Sequence, residues 1–483
     1  MSEYQYPQTA LAAEAVGPVQ KLARTLGVGG NVLLTLSSIS PAASVFILGG
    51  AALSSYGTGV FWGFLIAGVI SLLVALCYAE LGSRHPIAGG DYALVSRTLG
   101  PASGSAVFVL GLIGLPLSQA IFALGVSDYL GVTFAGLDPI ATALVVTLIA
   151  TFVSCLNIRT NAWVTGTFLF VEMAAIALLT FLGAVHIERP LTDLLNPEAL
   201  NSSGALAPIG VAGLVLVVTQ GVFAQYGYGG AVYFAEETIR PRRNVARAVI
   251  YSAIITVIVE TVPLIFVMLG ANSIKGLVGA NLPVEAFLEQ RAGHAVSVFV
   301  LLSMALAILN ANIALSLQAG RLLFVAARDH ALPDFLAKPL ARVSGVAHMP
   351  RVATIVMGVL SGLACLIPMT VLVNATGSTV VTGFAFIALA AIAVRRQRRD
   401  DQPADLYRMP WWPLPALVAL VVIASVLILG VLDPTQWVSL SIAGGIVVAG
   451  YAYYFAYLRS RGIDRFLLDA DAEADADADA DAE

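Results

Sequence analysis

Apolar stretches of about 20 residues recur along the chain from residue 29 to residue 458. An α-helix of that length crosses the roughly 30 Å hydrocarbon core of a bilayer. The chain is 58% hydrophobic and 11% charged, with a mean hydropathy of +0.87, so a soluble domain has too little polar surface to enclose it. Barrel strands would be about ten residues long and alternate in polarity, so these stretches are predicted to be helices.

We predict an all-α integral membrane protein with twelve transmembrane helices. Their approximate bounds are 29–53, 59–80, 103–131, 139–157, 161–185, 208–235, 247–270, 293–327, 350–369, 371–394, 413–432 and 435–458.

The three cysteines, Cys77, Cys155 and Cys365, lie in or at the ends of these stretches. They are predicted to be small buried apolar residues rather than disulfide or metal ligands.

The ends of the chain are polar. Residues 1–28 carry no signal-peptide pattern and are predicted to be a cytoplasmic tail. Residues 459–483 end in DADAEADADADADAE, with eight carboxylates from Asp469 to Glu483. Such a low-complexity acidic segment has nothing to bury, so we expect a disordered, solubilising cytoplasmic tail.

The basic residues predict the orientation in the membrane. With twelve helices and the amino terminus inside, 22 of the 25 Lys and Arg residues fall on the cytoplasmic side, leaving Arg189, Lys275 and Arg291 outside. Basic residues concentrate in cytoplasmic loops. The pattern predicts a multi-pass protein of the cell membrane with both termini in the cytoplasm.

The motifs of membrane enzymes, receptors and channels are missing from the sequence. It contains no P-loop, no HExxH, no GxSxG and no repeated pore segment. We therefore expect no enzyme activity, no cofactor, no metal site and no nucleic-acid partner. A secondary transporter, with a small-molecule substrate and membrane lipid as its partners, is the class that fits.

Two of the predicted helices are interrupted. The first contains SSISPAAS, with Pro41 halfway along, and the sixth contains QYGYGG, from Gln225 to Gly230. Their offset of five helices predicts two inverted repeats, about 29–185 and 208–394, followed by two extra helices within 413–458. Unpaired backbone groups persist in lipid only where protein, water or ligand satisfies them, so the breaks predict a shared midplane cavity. The alternative is that Pro and Gly merely kink tightly packed helices.

Three segments resemble the amino acid–polyamine–organocation (APC) permease superfamily. They are ALCYAELGSRHPIAGGDYALVSRTLG (75–100), GYGGAVYFAEETIRPRRNVARA (227–248) and NANIALSLQAGRLLFVAARDHALPDFLAKP (310–339). The resemblance implies the twelve-helix, leucine-transporter-type fold, alternating access, and uptake or exchange of amino acids or amines. It also places the substrate at the two breaks, where members that bind α-amino acids carry a glycine-rich motif in the first helix. Here Ala42, Ala43 and Ser44 follow Pro41 instead, so recognition of an α-carboxylate and of an amine both remain open.

The candidate substrate-binding residues follow from the breaks and their neighbours. Phe223 matches the aromatic position that caps the substrate in related permeases, and Asn312 and Ser316 share one helix face. Related polyamine carriers place a carboxylate where this chain has Gly229. The full set is Ser38, Ser40, Pro41, Ala42, Ala43, Ser44, Ser118, Gln119, Phe223, Tyr226, Gly227, Tyr228, Gly229, Asn312 and Ser316.

Glu172 lies halfway along the fifth predicted helix with no basic residue in that helix. A carboxylate at this depth costs at least about 2–3 kcal/mol, so it is expected to be protonated, paired or functional. We interpret it as the residue for proton coupling or for the substrate ammonium, with a neutral carboxyl bonded to a neighbouring helix as the alternative. Glu260, before Pro263, is interpreted as structural.

A cytoplasmic gate is the second candidate site. Glu236, Glu237, Arg242 and Arg243 follow the sixth helix and are interpreted as a charge network that opens and closes with the inner side. A solvated loop of the usual positive-inside type is the alternative.

Taken together, the sequence predicts an amino acid permease that works by proton coupling or exchange. A polyamine- or ethanolamine-type carrier and a non-transporting membrane sensor are the competing readings.

Overall fold

A computed structural model of the protein describes residues 22–133, 136–201, 203–344, 348–396, 406–432 and 437–461. The acidic tail predicted over 459–483 and the polar tail predicted over 1–28 lie for the most part outside the described residues. The described chain is helical apart from loops and one short β-hairpin. This agrees with the predicted all-α class.

The first apolar segment is divided into several helical pieces. They are α1 (Val28–Ile39), α2 (Pro41–Ala43), a π-helical stretch (Ser44–Gly49) and α3 (Gly50–Tyr56). A 3₁₀ turn (Gly57–Gly59) leads into α4 (Val60–Arg84), which is followed by α5 (Gly90–Leu99), α6 (Pro101–Thr133), α7 (Pro139–Ser154) and α8 (Ile158–Val185). The interruption predicted at Ser37–Ser44 is therefore confirmed.

The second half begins with irregular structure. A 3₁₀ turn (Leu191–Leu194) precedes the antiparallel pair β1 (Glu198–Leu200) and β2 (Leu206–Pro208), in which Ala199 lies opposite Ala207. Next come α9 (Val211–Ala224) and a 3₁₀ helix (Tyr228–Glu237). The predicted interruption between Gln225 and Gly230 is also confirmed.

The remaining helices are long apolar elements joined by short ones. They are α10 (Pro241–Gly270), α11 (Ile274–Val278), α12 (Pro283–Ala292), α13 (His294–Arg328), α14 (Asp334–Leu340), α15 (Arg351–Ala364), α16 (Met369–Ala393), α17 (Leu414–Leu432) and α18 (Trp437–Tyr453), with a π-helical turn (Tyr454–Leu458) and a 3₁₀ turn (Arg459–Arg461) at the end. Helical structure coincides with each of the twelve predicted apolar segments.

Eight helical segments of the described chain are long and apolar enough to cross a membrane. One of them, Val28–Arg84, joins the first two predicted helices, and two shorter apolar helices are Pro139–Ser154 and Arg351–Ala364. The outer faces carry large exposed apolar side chains such as Phe152, Trp163 and Phe170, which are 68%, 73% and 75% exposed. A face of this kind matches a lipid environment.

The helices next to the two breaks form the centre of the bundle. α13 packs along α6, and α4 packs along both α10 and α9. The short helix α5, which was not predicted, packs against α6, α16 and the 3₁₀ helix after the second break. This arrangement brings residues from both halves of the chain around one interior space.

Candidate functional site

The first break is centred on Ser40. Its φ of 51° and ψ of 72° end α1 in the left-handed region, and Pro41 then starts α2 without an N–H to continue the helix. The N–H of Ala42 is left at the start of a new helix, where it donates to Oε1 of Glu172 at 2.7 Å. The Ser40 hydroxyl donates to the same oxygen at 3.1 Å.

The second break lies directly against the first. Gly227 has a φ of 118°, and a Cβ placed on it would lie 2.7 Å from Cγ1 of Ile39, the last residue of α1. A Cβ on Gly230 would lie 2.6 Å from Nε2 of Gln318 and 3.2 Å from the Ser38 hydroxyl. Glycine is therefore required at residue 227 for the two interrupted segments to approach this closely, whereas at residue 230 a side chain would first displace the mobile end of Gln318.

Each broken segment also satisfies backbone groups of the other. The Ser44 hydroxyl donates to the carbonyl of Ala224, the last residue of α9, at 3.0 Å. In return, Gln220 donates from Nε2 to the carbonyl of Leu48 at 3.1 Å. These bonds supply partners for carbonyls at a helix end and in a π-helical stretch, which would otherwise be costly in an apolar interior.

Two buried carboxyl groups flank the first break. Glu172 of α8 and Glu260 of α10 are 1% and 0% exposed. The carboxyl of Glu260 lies close to the Ser44 hydroxyl and interacts with the charge of Glu172. Neither carboxyl belongs to an ion pair within the described ranges. Glu260, interpreted from the sequence as structural, thus faces the break rather than only its own helix.

A cavity of about 240 Å³ lies between the broken segments, α4, α5, α6, α13 and α16. Eight of the predicted substrate residues line it: Ser38, Ala43, Ser44, Ser118, Phe223, Tyr226, Gly227 and Gly229. Apolar side chains such as Ile39, Phe122 and Ile308 form most of the remaining wall. Asp91 is the one charged side chain among the described residues of the lining, and the sequence analysis did not identify it.

The other predicted substrate residues lie behind this wall. Ser40, Pro41 and Ala42 form the turn that bonds to Glu172. Asn312 donates from Nδ2 to the carbonyl of Gln119 at 3.1 Å, and Gln119 also bonds to the Ser361 hydroxyl, which ties α13, α6 and α15 together. Tyr228 stacks on the ring of Phe384, and Ser316 is fully buried.

The glutamates of the predicted gate pair with arginines of α13. Glu237 receives two hydrogen bonds from Arg321, at 2.6 Å from Nε and 2.7 Å from Nη2, and both side chains are completely buried. Arg321 also donates to the carbonyl of Leu317 and lies over the ring of Phe234, with 4.9 Å from Cζ to the ring centroid. A buried charge is tolerated when it is paired and hydrogen bonded in this way.

Glu236 makes the second contact of this kind. It pairs with Arg328, seven residues beyond Arg321, and accepts a hydrogen bond from the N–H of Ala88 at 3.1 Å. Arg242 is buried and Arg243 is exposed at the start of α10. Arg321 and Arg328 were not among the predicted gate residues, although Arg321 lies inside an apolar helix and their spacing of seven puts both on one face.

More ion pairs gather at the same end of the bundle. Arg97 of α5 makes two bonds to Asp329, at 2.9 and 3.0 Å, and the Tyr92 hydroxyl donates to Asp329 at 2.9 Å. Arg395 makes two bonds to the fully buried Glu80, at 2.7 and 3.0 Å. Several buried ion pairs thus connect α4, α5, α13 and the chain after α16 at this end of the bundle.

A helical membrane bundle with two broken helices around one interior cavity has the architecture of a membrane permease. Residues 26–451 match the amino acid permease family, so the chain belongs to this family, which lies in the APC superfamily. The resemblance noted in the sequence is confirmed. The protein is accordingly a multi-pass membrane protein.

Three relatives illustrate the similarity. The chain is 24% identical to the branched-chain amino acid permease BcaP of Bacillus subtilis (strain 168), over 91% of this chain and 94% of the relative. It is 26% identical to BcaP of Lactococcus lactis subsp. cremoris (strain MG1363), over 86% and 90% of the two chains. It is 28% identical to the large neutral amino acids transporter small subunit 2 of Rattus norvegicus, over 71% of this chain and 64% of the relative.

Proposed function

We propose that this protein is a secondary active transporter that moves amino acids across the cell membrane by alternating access. The observation that carries the proposal is the contact between the two breaks, Gly227 against Ile39, at the wall of one cavity. Interrupted helices that expose backbone groups to a shared cavity are a recurring design of substrate sites in such transporters. Membership of the amino acid permease family supports the same conclusion.

The substrate we propose is a branched-chain or large neutral amino acid, such as leucine. The relatives named above carry these substrates in their names, and the cavity wall is predominantly apolar. The hydroxyls of Ser38 and Ser44 donate to the carbonyls of Thr35 and Ala224, and would turn to donate to the carboxylate of the substrate. Phe223 would cover the substrate. The apolar side chain would then lie against the remaining wall.

Twelve membrane helices in two inverted repeats are the topology we propose. Val28–Arg84 holds 57 residues, about 85 Å of helix, which is too long for one crossing of a bilayer. It has a turn at Gly57, where φ is 53°. The proposed units are a transporter domain over 29–458, with repeats at 29–185 and 208–394 and extra helices at 413–458, and cytoplasmic tails at both ends.

The proposed coupling ion is a proton carried by Glu172 or Glu260. Ionising both buried carboxyls at one break, without a cation, would cost several kcal/mol. One proton on either carboxyl lowers that cost, and losing it would place a second charge at the break, beside Ala42 and Ser44. The pair therefore links protonation to the geometry of the break.

The ion pairs Glu237–Arg321 and Glu236–Arg328 are proposed to hold the cytoplasmic side closed. Both join the 3₁₀ helix after the second break to α13. Opening that side requires these elements to separate, so the pairs would have to break or move together. Arg242 and Arg243, at the start of α10, would contribute to the same charged entrance.

Counterflow in proteoliposomes tests transport itself. Vesicles that contain the purified protein are loaded with unlabelled leucine, and the entry of labelled leucine is followed. The proposal predicts accumulation above that of empty vesicles and of vesicles without internal leucine. Specific binding of leucine without counterflow would indicate a sensor, and counterflow of an aliphatic amine but not of leucine would indicate an amine carrier.

A further inference from the structure

The cavity contains one charged side chain whose position is fixed by two glycines. Gly89 and Gly90, at the start of α5, have φ values of 105° and 62°. A Cβ on Gly90 would lie 1.9 Å from Cζ of Tyr233, inside its ring. The two glycines therefore allow the backbone to pass against the Tyr233 ring. Asp91, the next residue, then lies at the cavity wall.

The carboxyl of Asp91 is surrounded by aromatic rings. The side chains of Tyr78, Tyr226 and Tyr233 line the cavity together with Asp91 and lie close enough to interact with its charge. On the α16 side, Oδ2 lies 3.8 Å from the position that a Cβ on Gly383 would take. The absence of a side chain at residue 383 thus leaves open space next to the carboxylate.

The nearest basic residue of the same helix is engaged elsewhere. Arg97 makes its two bonds to Asp329, and Arg328 pairs with Glu236. A carboxylate that faces a mainly apolar cavity is stabilised by a cation that enters the cavity. Aromatic rings strengthen that preference, because their faces attract ammonium groups.

We propose that Asp91, with the rings of Tyr78, Tyr226 and Tyr233, forms a binding site for the primary ammonium group of the transported molecule. The site adjoins the second break, because a Cβ on Gly229 would lie 2.7 Å from the Tyr78 ring. It rests on the proposed transport function and adds the group that recognises the amine. Glu172, which we had interpreted as the alternative ammonium anchor, is bonded to Ser40 and Ala42 outside the cavity wall.

Three ligands test recognition of the ammonium group and of the carboxylate group separately. They are leucine, isopentylamine, which lacks the carboxylate, and 4-methylpentanoate, which lacks the ammonium. Binding to the purified full-length protein is measured by ligand-dependent thermal stabilisation, which reports affinity because a ligand that binds the folded state raises its stability. The variant is Asp91→Asn, which has the same shape and no charge. The control is Asp193→Asn, at an exposed position.

The expected result is a loss of at least tenfold in affinity for leucine and isopentylamine in Asp91→Asn, with no loss for 4-methylpentanoate. Asp193→Asn should bind all three probes like the wild type. Equal amine affinities of the wild type and Asp91→Asn would overturn the ammonium site and leave the transport proposal intact. Binding of isopentylamine without leucine in the wild type, lost in Asp91→Asn, would overturn amino acid transport and support the site.

A second variant keeps the inference testable if Asp91→Asn does not fold. Gly383→Ala places a methyl group in ordinary contact with Oδ2 of Asp91 and also favours the helix. It should weaken leucine and isopentylamine binding severalfold and leave 4-methylpentanoate unaffected. Unchanged amine binding in this variant would contradict an ammonium group beside Oδ2.

Discussion

Oε1 of Glu172 accepts a hydrogen bond from the backbone N–H of Ala42 at 2.7 Å. An acidic side chain from α8 thus occupies the position where the start of α2 presents a free backbone donor. The break lacks the glycine-rich motif that the resemblance led us to expect, and a carboxyl from another helix stabilises it instead. This contact couples α8 to the interrupted first segment.

Replacing Glu172 by Gln should preserve the fold but change the coupling. Gln keeps one oxygen that accepts from Ala42 and Ser40, whereas Leu leaves the buried N–H unpaired at a cost of about 1–3 kcal/mol. Thermal unfolding should therefore be near wild type for Glu172→Gln and clearly earlier for Glu172→Leu. Leucine uptake by Glu172→Gln, measured from about pH 5.5 to 8, should lose the stimulation by protons that coupling gives and keep the fall in affinity on acidification that Asp91 causes. A wild-type pH profile and affinity in this variant would refute the coupling role.

Glu237 and Arg321 should be mutually dependent. Removing one partner leaves a buried charge without its counter-ion, which costs about 3–5 kcal/mol, whereas replacing both by apolar groups costs much less. We expect Glu237→Leu and Arg321→Met each to destabilise the protein strongly, and the double variant to recover much of the loss. Thermal unfolding of the three variants provides the measurement. Additive losses in the double variant would show that the pair does not act as a unit.

Gly227→Ala tests the close approach of the two breaks. At Gly100, with a φ of 92° and nothing within 4 Å of an added Cβ, alanine meets only the conformational cost of about 1–2 kcal/mol. At Gly227 the same change adds a clash with Ile39, so the loss of stability should be larger than for Gly100→Ala. In Ile39→Ala/Gly227→Ala the combined loss should be smaller than the sum of the single losses. Additive losses of stability would show that the added methyl group at residue 227 does not clash with Ile39.

The pH dependence of leucine binding should report Asp91, which belongs to α5, a short helix between the membrane-spanning segments Val28–Arg84 and Pro101–Ser127. Burial raises the pKa of its carboxyl to about 6. Below this pH the carboxyl is mostly neutral, so affinity for an ammonium group falls with acidification, by about tenfold between pH 7 and 5. The facing groups, Tyr78, Tyr226 and Tyr233, stay neutral in this range, and the nearby Glu236 and Asp329 are ion paired. Asp91→Asn should lose this fall in affinity on acidification, and a fall as steep as in the wild type would assign the effect to another group.

The same carboxyl has a predictable effect on stability. A raised pKa means that the folded protein binds the proton more tightly than the unfolded chain, so stability falls as the pH rises from about 4 to 6. Asp91→Asn should remove this part of the pH dependence and be more stable than the wild type at pH 7. Thermal unfolding of both proteins across this range measures the difference. A stability profile of the variant that parallels the wild type would contradict the assignment.

Local sequence signals identified the breaks and most of the cavity wall. Pro41 removes a backbone donor, and the glycines around Gly227 permit a positive φ, so both interruptions follow from residue type alone. The partners of charged residues did not follow, because they lie far apart in sequence. Arg321 and Glu237 are paired although 84 residues separate them in sequence. Asp91 lies near Tyr226 and Tyr233 because α5 packs against the 3₁₀ helix after the second break. Asp91 lies in the segment 75–100 that carries a family motif, and nothing local to that segment indicates that its carboxylate faces a cavity.

The most direct test of the central claim is a structure of the protein determined by electron cryomicroscopy with saturating leucine. One leucine is expected between the two breaks, with its carboxylate near Ser38 and Ser44 and its ammonium toward Asp91. Leucine bound elsewhere, or a cavity that stays empty although leucine binds in solution, would contradict it.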